Sequence, residues 1–132
     1  MVATVAGMGG FMHGHTYQSN PLACACGVAA VSETIERDLI VVTDEVYEHL
    51  VFDGAEHIPL MTLPELRNRC LKVGSAGKTF PLTGWKVGYV TASPELLQPV
   101  AMAHHFLAFT TAPNLQAGVA YGLAKERGYF DQ

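Results

Sequence analysis

Short apolar runs that end directly in polar clusters are the feature that most constrains this 132-residue chain. Residues 39–43 read LIVVT and run into an acidic pair at 44–45, and residues 70–73 read CLKV and run into GSAG at 74–77. A third run, KVGYVT, occupies 86–91. Because short, β-branched runs bounded by turn signals are typical of strands, we predict three short strands, the first buried on both faces.

Helix signals lie on either side of these runs. Asn20 followed by Pro21 is a good helix start, and Ala-rich sequence carries the predicted helix to about Asp38. Further helices are predicted to follow Ser93-Pro94-Glu95 and to span 115–127, whereas 63–69 has room for only a turn or two. Strands separated by helices and turns indicate an α/β layer structure, preceded by a Gly-, His- and Met-rich loop at 1–19.

Composition excludes several classes of function. The net charge of -4 and the scattered basic residues provide no stripe for phosphate backbones, so we predict no nucleic-acid partner. No apolar stretch approaches the ~20 residues of a membrane span, and we expect a soluble, cytoplasmic protein. The chain is 49% hydrophobic and 15% charged, which indicates a surface covered by more protein. The three cysteines, Cys24, Cys26 and Cys70, are expected to be buried free thiols.

The polar clusters that follow the first two strands are the candidate site. Ligands of open α/β sheets bind beyond the carboxyl ends of the strands, although solvation alone also places polar residues there. The triplet GKT at 77–79 matches the end of a phosphate-binding loop, but Lys72 stands where the first glycine of that motif belongs. No helix is expected after it, because Pro81 and Gly84 interrupt the next turn. The pair His13 and His15 is too weak a pattern to predict a metal site.

Two longer motifs carry a family resemblance. The stretches TDEVYEHLVFDG (43–54) and GSAGKTFPLTGWKVGYV (74–90) are similar to class I aminotransferases, which are fold type I enzymes that depend on pyridoxal 5′-phosphate (PLP). The resemblance covers 41–132. It implies part of the fold type I large domain: a small, mostly parallel sheet with one antiparallel strand and flanking helices, expected as one compact unit.

The resemblance also implies roles for five residues. Lys78 matches the lysine that holds PLP as a Schiff base and shuttles the substrate proton. Asp44 matches the carboxylate at the pyridine nitrogen, and Tyr47 the tyrosine at the 3′-oxygen. Ser75 and Lys86 match the phosphate contacts. Plainer roles for three of them are an end cap for Asp44, a core aromatic for Tyr47 and a solvated charge for Lys86.

The N-terminal part resembles a different family. The sequence FMHGHTYQSNPLACACGVAAV (11–31) is similar to class III aminotransferases such as the ω-transaminases, where this segment follows the catalytic lysine rather than preceding it. We therefore divide the chain into a class III-like loop and helix (1–40) and a class I-like part (41–132). In the class III family the threonine that matches Thr16 reaches the phosphate of PLP bound by the neighbouring subunit.

Together these resemblances imply a minimal or truncated PLP-dependent transaminase. It would move an amino group between an amino acid or amine and a 2-oxo acid, as a dimer or higher homo-oligomer whose subunits complete each other's site. No counterpart is evident for the family's ring-stacking aromatic or for the arginine that clamps the substrate carboxylate, so catalysis is expected to be weak and unselective. A non-catalytic fragment or assembly module is the alternative, and racemisation or β-elimination are further PLP reactions to test.

Overall fold

The computed structural model describes residues 21–125 and 127–130. The helices and strands in chain order are α1 (Pro21–Glu36), β1 (Val41–Asp44), β2 (Cys70–Ser75), α2 (Ala76–Thr79), β3 (Gly88–Thr91), α3 (Pro94–Ala108) and α4 (Pro113–Leu123). Single 3₁₀ turns occur at Leu60–Thr62, Thr83–Trp85 and Arg127–Tyr129.

The three strands form one sheet in the order β1-β2-β3. Strands β1 and β2 are parallel, with Asp44 opposite Val73, whereas β2 and β3 are antiparallel, with Ser75 opposite Gly88. The predicted fold class, a small sheet with one antiparallel strand and flanking helices, is confirmed. Because β1 and β2 are parallel, the segments that follow them leave the same edge of the sheet.

Local signals located the helix starts better than the helix ends. Pro21, the predicted first residue of α1, is helical and is the first residue described; the helix ends at Glu36 rather than Asp38, and Asp38 has a left-handed backbone with φ of 54°. α3 begins at Pro94, after an extended Ser93. α4 begins at Pro113, two residues before the predicted start, and ends at Leu123 rather than Arg127.

The buried core is small and lies around β2 and α2. Ala76, Val87 and Val119 are buried together, with the partly buried Phe80 and Leu115 packed against them. Leu66 and Cys70 are also fully excluded from solvent. The predicted helical turn or two at 63–69 is a series of hydrogen-bonded turns, in which the Leu66 and Arg69 amides donate to the carbonyls of Leu63 and Leu66.

Two sequence predictions were wrong in detail. β1 is not buried on both faces, because the side chain of Val42 is 68% exposed. Cys24 and Cys26 are exposed in the first turns of α1, while Cys70 is buried as predicted. The short helix α2 includes the GKT triplet and ends at Thr79, and within the described residues only the 3₁₀ turn Thr83–Trp85 lies between it and β3. Within 21–125 and 127–130, no helix is both long and apolar enough to cross a membrane.

Candidate functional site

The candidate site lies where the segments after β1 and β2 come together. The turn after β1 begins at Asp44 and continues through 45–49, and the turn after β2 is α2. A cleft of about 260 Å³ opens between them. Its walls are formed by Val46, Tyr47, His49, Leu50, Lys78, Thr79, Tyr129 and Phe130. Of the predicted site residues, the structure therefore brings Tyr47 and Lys78 to one cleft.

Lys78 is held by a tightly packed turn. The Thr79 hydroxyl donates to the carbonyl of Ser75 (3.1 Å), and the Thr83 hydroxyl donates to the carbonyl of Gly77 (3.2 Å). A Cβ at the buried Gly77 would lie only 3.0 Å from the Cα of Thr83, so this close approach favours glycine. The Lys78 side chain is exposed, and its Nζ lies 5.6 Å from the centroid of the Tyr47 ring, within the range of a cation–π contact.

The four lysines of the chain differ in their partners. Lys72 contacts Glu48, and Lys125 donates to the Tyr121 hydroxyl at 2.7 Å. Within the described residues, neither the Lys78 nor the Lys86 ammonium has a carboxylate partner. Lys86 is exposed and follows the Thr83–Trp85 turn in a left-handed backbone conformation (φ 54°, ψ 39°). Lys78 and Lys86, which the resemblance assigns to PLP, therefore differ from Lys72 in having no carboxylate partner and from Lys125 in donating no hydrogen bond within the described residues.

Asp44 and Ser75 occupy the ends of the parallel strands. The Asp44 carboxylate is exposed, and its Oδ1 accepts from the Val46 amide at 3.3 Å, which is the local capping role that the sequence left open. Ser75 stands at the start of α2, but its hydroxyl makes no capping hydrogen bond. Tyr47 is 46% exposed and so is not a core aromatic. Thr16 lies outside the described residues, as do His13 and His15.

Glu45, beside Asp44, is buried although it is charged. Its side chain meets His57 Nε2 at 2.8 Å through Oε2 and accepts from the Leu60 amide at 3.2 Å through Oε1. Burial alone raises the pKa of Glu45, but hydrogen bonds from His57, Thr43 and Leu60 outweigh it and bring the pKa below its ordinary value. The sequence analysis missed this residue, because His57 is brought to it only by the fold of the intervening loop.

Glu48 forms a second charged contact, which is partly buried. It accepts from the Lys72 ammonium of β2 and, at 3.2 Å, from the Tyr89 hydroxyl of β3. Tyr89 reaches it by lying across Gly74, where a Cβ would come within 2.3 Å of the ring. Burial, together with the negative charge of Glu48, raises the pKa of Tyr89. The turn after β1 is thus attached to both other strands.

Glu45, Glu48 and His57 approach one another closely enough to resemble a metal-ligand group. One ligand atom from each lies within 4.8 Å of the others. Their atoms are already engaged, however: Glu45 with His57 and the Leu60 amide, and Glu48 with Lys72 and Tyr89. We therefore interpret this cluster as a structural contact.

Aromatic rings line the far side of the cleft. The Phe130 ring stacks on His49, with centroids 4.4 Å apart and an interplanar angle of 17°, and Tyr129 meets Phe130 edge-on at 5.2 Å. The sequence analysis assigned no role to these rings. Tyr129 and Phe130 belong to no recognised motif and lie far from Lys78 in the sequence, and the fold brings them to the same cleft.

Comparison with known proteins agrees with this geometry. The family described as aminotransferase class I and II matches residues 15–128. Human kynurenine–oxoglutarate transaminase 1 is 39% identical over 97 residues, which are 74% of this chain and 23% of that protein. A probable N-succinyldiaminopimelate aminotransferase of Mycobacterium tuberculosis is 40% identical over 103 residues, which are 77% of this chain and 26% of that protein.

Solved structures give the same result. The N-succinyldiaminopimelate aminotransferase from Mycobacterium tuberculosis superimposes with a TM-score of 0.71 at 38% identity, over 80% of this chain and 28% of that one. A protein from Escherichia coli with a methionine aminotransferase function superimposes with a TM-score of 0.65 at 34% identity, over 76% and 27%. The chain spans about a quarter of the length of the curated relatives that it matches.

Proposed function

Because the chain belongs to the class I and II aminotransferase family, we propose that it binds PLP through Lys78 and takes part in amino transfer between an amino acid or amine and a 2-oxo acid. One observation carries the proposal. The Lys78 amine is exposed at a cleft, lies beside the Tyr47 ring and has no carboxylate partner among the described residues. An amine without an ionic partner is available to condense with an aldehyde.

The other three residues that the resemblance assigns, Asp44, Ser75 and Lys86, are not among the residues that line the cleft, but they fit PLP in chemical type. The Lys86 ammonium and the Ser75 hydroxyl are uncommitted within the described residues and suit a phosphate. Asp44 retains an oxygen that makes no hydrogen bond within the described residues. The cleft volume of about 260 Å³ is near the lower end of small-ligand sites, which begin at roughly 300 Å³. A single-ring cofactor suits a cleft of this size.

Each residue has a distinct task in this proposal. Bound PLP supplies an electron sink for the electron pair left at the substrate α carbon. Asp44 would keep the pyridine nitrogen protonated, and the Tyr47 hydroxyl would donate to the 3′-oxygen. Ser75 and Lys86 would bind the phosphate. The Lys78 amine, once the substrate amine has replaced it, would accept the proton at the substrate Cα.

For the N-terminal segment, we propose descent from class III aminotransferases and a phosphate contact through Thr16. Descent of 11–40 from class III aminotransferases rests on the motif at 11–31, and the class I and II match already begins at residue 15. The division at 40–41 and the phosphate role of Thr16 therefore remain predictions. Thr16→Val tests the role of the threonine, since loss of a phosphate contact should weaken PLP binding while leaving the absorbance band of bound PLP in place.

PLP binding is tested directly by absorbance and covalent trapping. The full chain mixed with PLP should develop a near-visible band, and borohydride reduction should fix the cofactor on the peptide that carries Lys78. Lys78→Ala should lose both signals. Lys125→Ala is the matched control, because it removes an exposed lysine that contacts only Tyr121 in the described chain. Equal labelling of the wild type and Lys78→Ala would refute the proposal.

Catalysis needs a separate experiment, because the chain spans only about a quarter of its relatives. Transfer from kynurenine to 2-oxoglutarate, the pair in the name of one relative, is a reasonable first assay. The rate should exceed that of free PLP and fall to it in Lys78→Ala. If the wild type binds PLP but never exceeds free PLP with any donor, the non-catalytic alternative is correct.

Self-association is the final part of the proposal. Phe106 and Leu107 of α3 are 81% and 86% exposed, and among the described strands β1, which carries the exposed Val42, pairs with β2 alone. Apolar exposure of this kind, next to an unpaired strand edge, favours a homo-oligomer. Light scattering at several concentrations should give a dimer or larger species, and a monomer at all concentrations would contradict it. Cytoplasmic location remains a prediction from composition.

A further inference from the structure

We propose that Glu45 and Glu48 are positioning residues, which hold the turn at 44–48 so that Tyr47 lines the cleft beside Lys78 and Asp44 remains exposed at the end of β1. This inference rests on the proposed function and deepens it. It concerns how the cofactor-facing groups are held, and it involves two residues that would contact neither substrate nor PLP.

In this turn the two glutamate side chains are less exposed than the tyrosine, which is the reverse of the usual order. Glu45 is only 7% exposed and the Glu48 side chain only 14%, whereas Tyr47 is 46% exposed. Carboxylates are rarely buried unless they are paired, and tyrosine is ordinarily more buried than glutamate. The turn therefore places its charged groups against the protein and leaves its aromatic ring in the cleft.

Glu45 attaches the turn to the loop that follows it. Its two oxygens meet different groups, His57 Nε2 at 2.8 Å and the Leu60 amide at 3.2 Å. Because both oxygens are engaged, rotation of the side chain breaks at least one contact. The position of Glu45 in turn restricts its neighbour Asp44, whose backbone pairs with Val73 in the sheet.

Glu48 attaches the other end of the turn to the sheet. It accepts from Lys72 of β2 and from Tyr89 of β3 (3.2 Å), so two strands hold the residue next to Tyr47. Backbone groups add further restraints: the Glu45 amide donates to the Val73 carbonyl (3.0 Å), and the Glu48 and Leu50 amides donate to the Glu45 and Tyr47 carbonyls (3.1 and 2.9 Å). Of these, the two bonds within the turn depend on its shape, whereas the bond to Val73 extends the β1–β2 pairing.

Stability alone is a poor reason for these contacts. Burying an ion pair removes both charges from water, and well-packed apolar residues of the same size are often at least as stabilising. Buried charged pairs do fix geometry, because leaving either partner unpaired is costly. Here the geometry that they fix is that of the one turn that carries both Asp44 and Tyr47.

Amide hydrogen exchange tests the anchoring without cofactor. Glu48→Gln should speed exchange of the Glu48 and Leu50 amides by at least about tenfold, while the β2–β3 amides keep their protection. Glu33→Gln is the matched control, since it breaks an exposed ion pair with Arg37 on α1. If Glu48→Gln leaves the chain poorly folded, Glu48→Gln with Lys72→Met removes both charges and leaves no unpaired cation.

PLP affinity tests the link to Tyr47. Tyr47→Phe and Glu48→Gln should each weaken PLP binding, by about tenfold or less, and the double variant should weaken it by less than the product of the two. A residue with a merely structural role would give independent effects that multiply. Glu33→Gln should leave the dissociation constant unchanged.

The outcomes separate this inference from the proposed function. Local loss of protection together with a less than multiplicative double variant supports positioning. Exchange in Glu48→Gln that matches Glu33→Gln, or effects on PLP affinity that multiply fully, overturns it. A wild type without a Lys78-dependent PLP signal rejects the proposed function, and the exchange data still decide whether Glu48 holds the turn.

Discussion

The turn at 44–48 and the helix α3 differ in which kind of side chain they bury. In the turn after β1, the buried Glu45 accepts from the Leu60 amide of the following loop. Glu48 in the same turn contacts β2 and β3 through the side chains of Lys72 and Tyr89. α3 has no buried residue, and its large apolar side chains Phe106 and Leu107 face outward. Apolar residues outside and charges inside reverse the usual distribution. Within the described residues, polar and charged contacts therefore hold the turn to the sheet, whereas the apolar side of α3 is exposed.

The largest expected difference between the two regions is in the free energy of unfolding. Leu66→Ala, at a fully buried position beneath the sheet, should lower it by roughly 2–5 kcal/mol. Leu107→Ala is the same change on α3 and should alter it by about 0.5 kcal/mol or less. Urea unfolding measures both. Equal losses would show that α3 is covered in solution.

The next largest loss of stability is expected when a side chain is added to β2 at Gly74. Gly74→Ala forces the Tyr89 ring away from β2 and from Glu48, at a cost of about 1–3 kcal/mol. Gly84→Ala is the control, because a Cβ there meets nothing within 4 Å. Thermal unfolding should separate the two variants. If Gly74→Ala were as stable as the Gly84→Ala variant, Tyr89 would not need this close approach.

Acid should weaken the turn through Glu45. Its folded pKa lies below the ordinary value of 4.5, so the unfolded chain takes up this proton first as the pH falls. The contribution is full above about pH 4.5 and is lost as the pH falls through the folded pKa. Glu45→Gln should remove this pH dependence in urea unfolding, whereas the exposed Glu65→Gln should preserve it.

The smallest effect is expected for an exposed ion pair. Glu33 in the last turn of α1 and Arg37 just beyond its end are four residues apart, and both side chains are more than half exposed. Glu33→Gln should therefore cost about 0.5 kcal/mol or less, and added salt should abolish the difference. A loss as large as that expected for Gly74→Ala would show that α1 depends on this pair.

Local signals in the sequence predicted what depends on neighbouring residues. The start of α1 at Pro21 and of α3 at Pro94 follow from proline at the first helical position. The direction of β3 came from family resemblance, since antiparallel pairing leaves no distinct mark in the run KVGYVT. The exposure of Val42 was missed because an apolar run does not report how many of its faces are covered.

In the candidate site too, the sequence motifs predicted some residues but not the contacts that the fold creates. Motif resemblance pointed to Lys78 and Tyr47, and the structure brings these two to one cleft. The contact of Glu45 with His57 depends on the fold of the intervening loop, and the contact of Glu48 with Lys72 depends on the pairing of β1 with β2. No spacing rule relates such residues, so a single sequence does not reveal them.

The parallel pairing of β1 and β2 also orders the steps of folding. The connection between them, 45–69, is about twice as long as the connection 76–87 between β2 and β3. Doubling a loop adds only about 0.6 kcal/mol to its closure entropy, but this small bias favours early closure of the β2–β3 pair. The Tyr47 and Lys78 turns become neighbours only when β1 docks, so in refolding experiments the ability to capture PLP should be among the last properties to return.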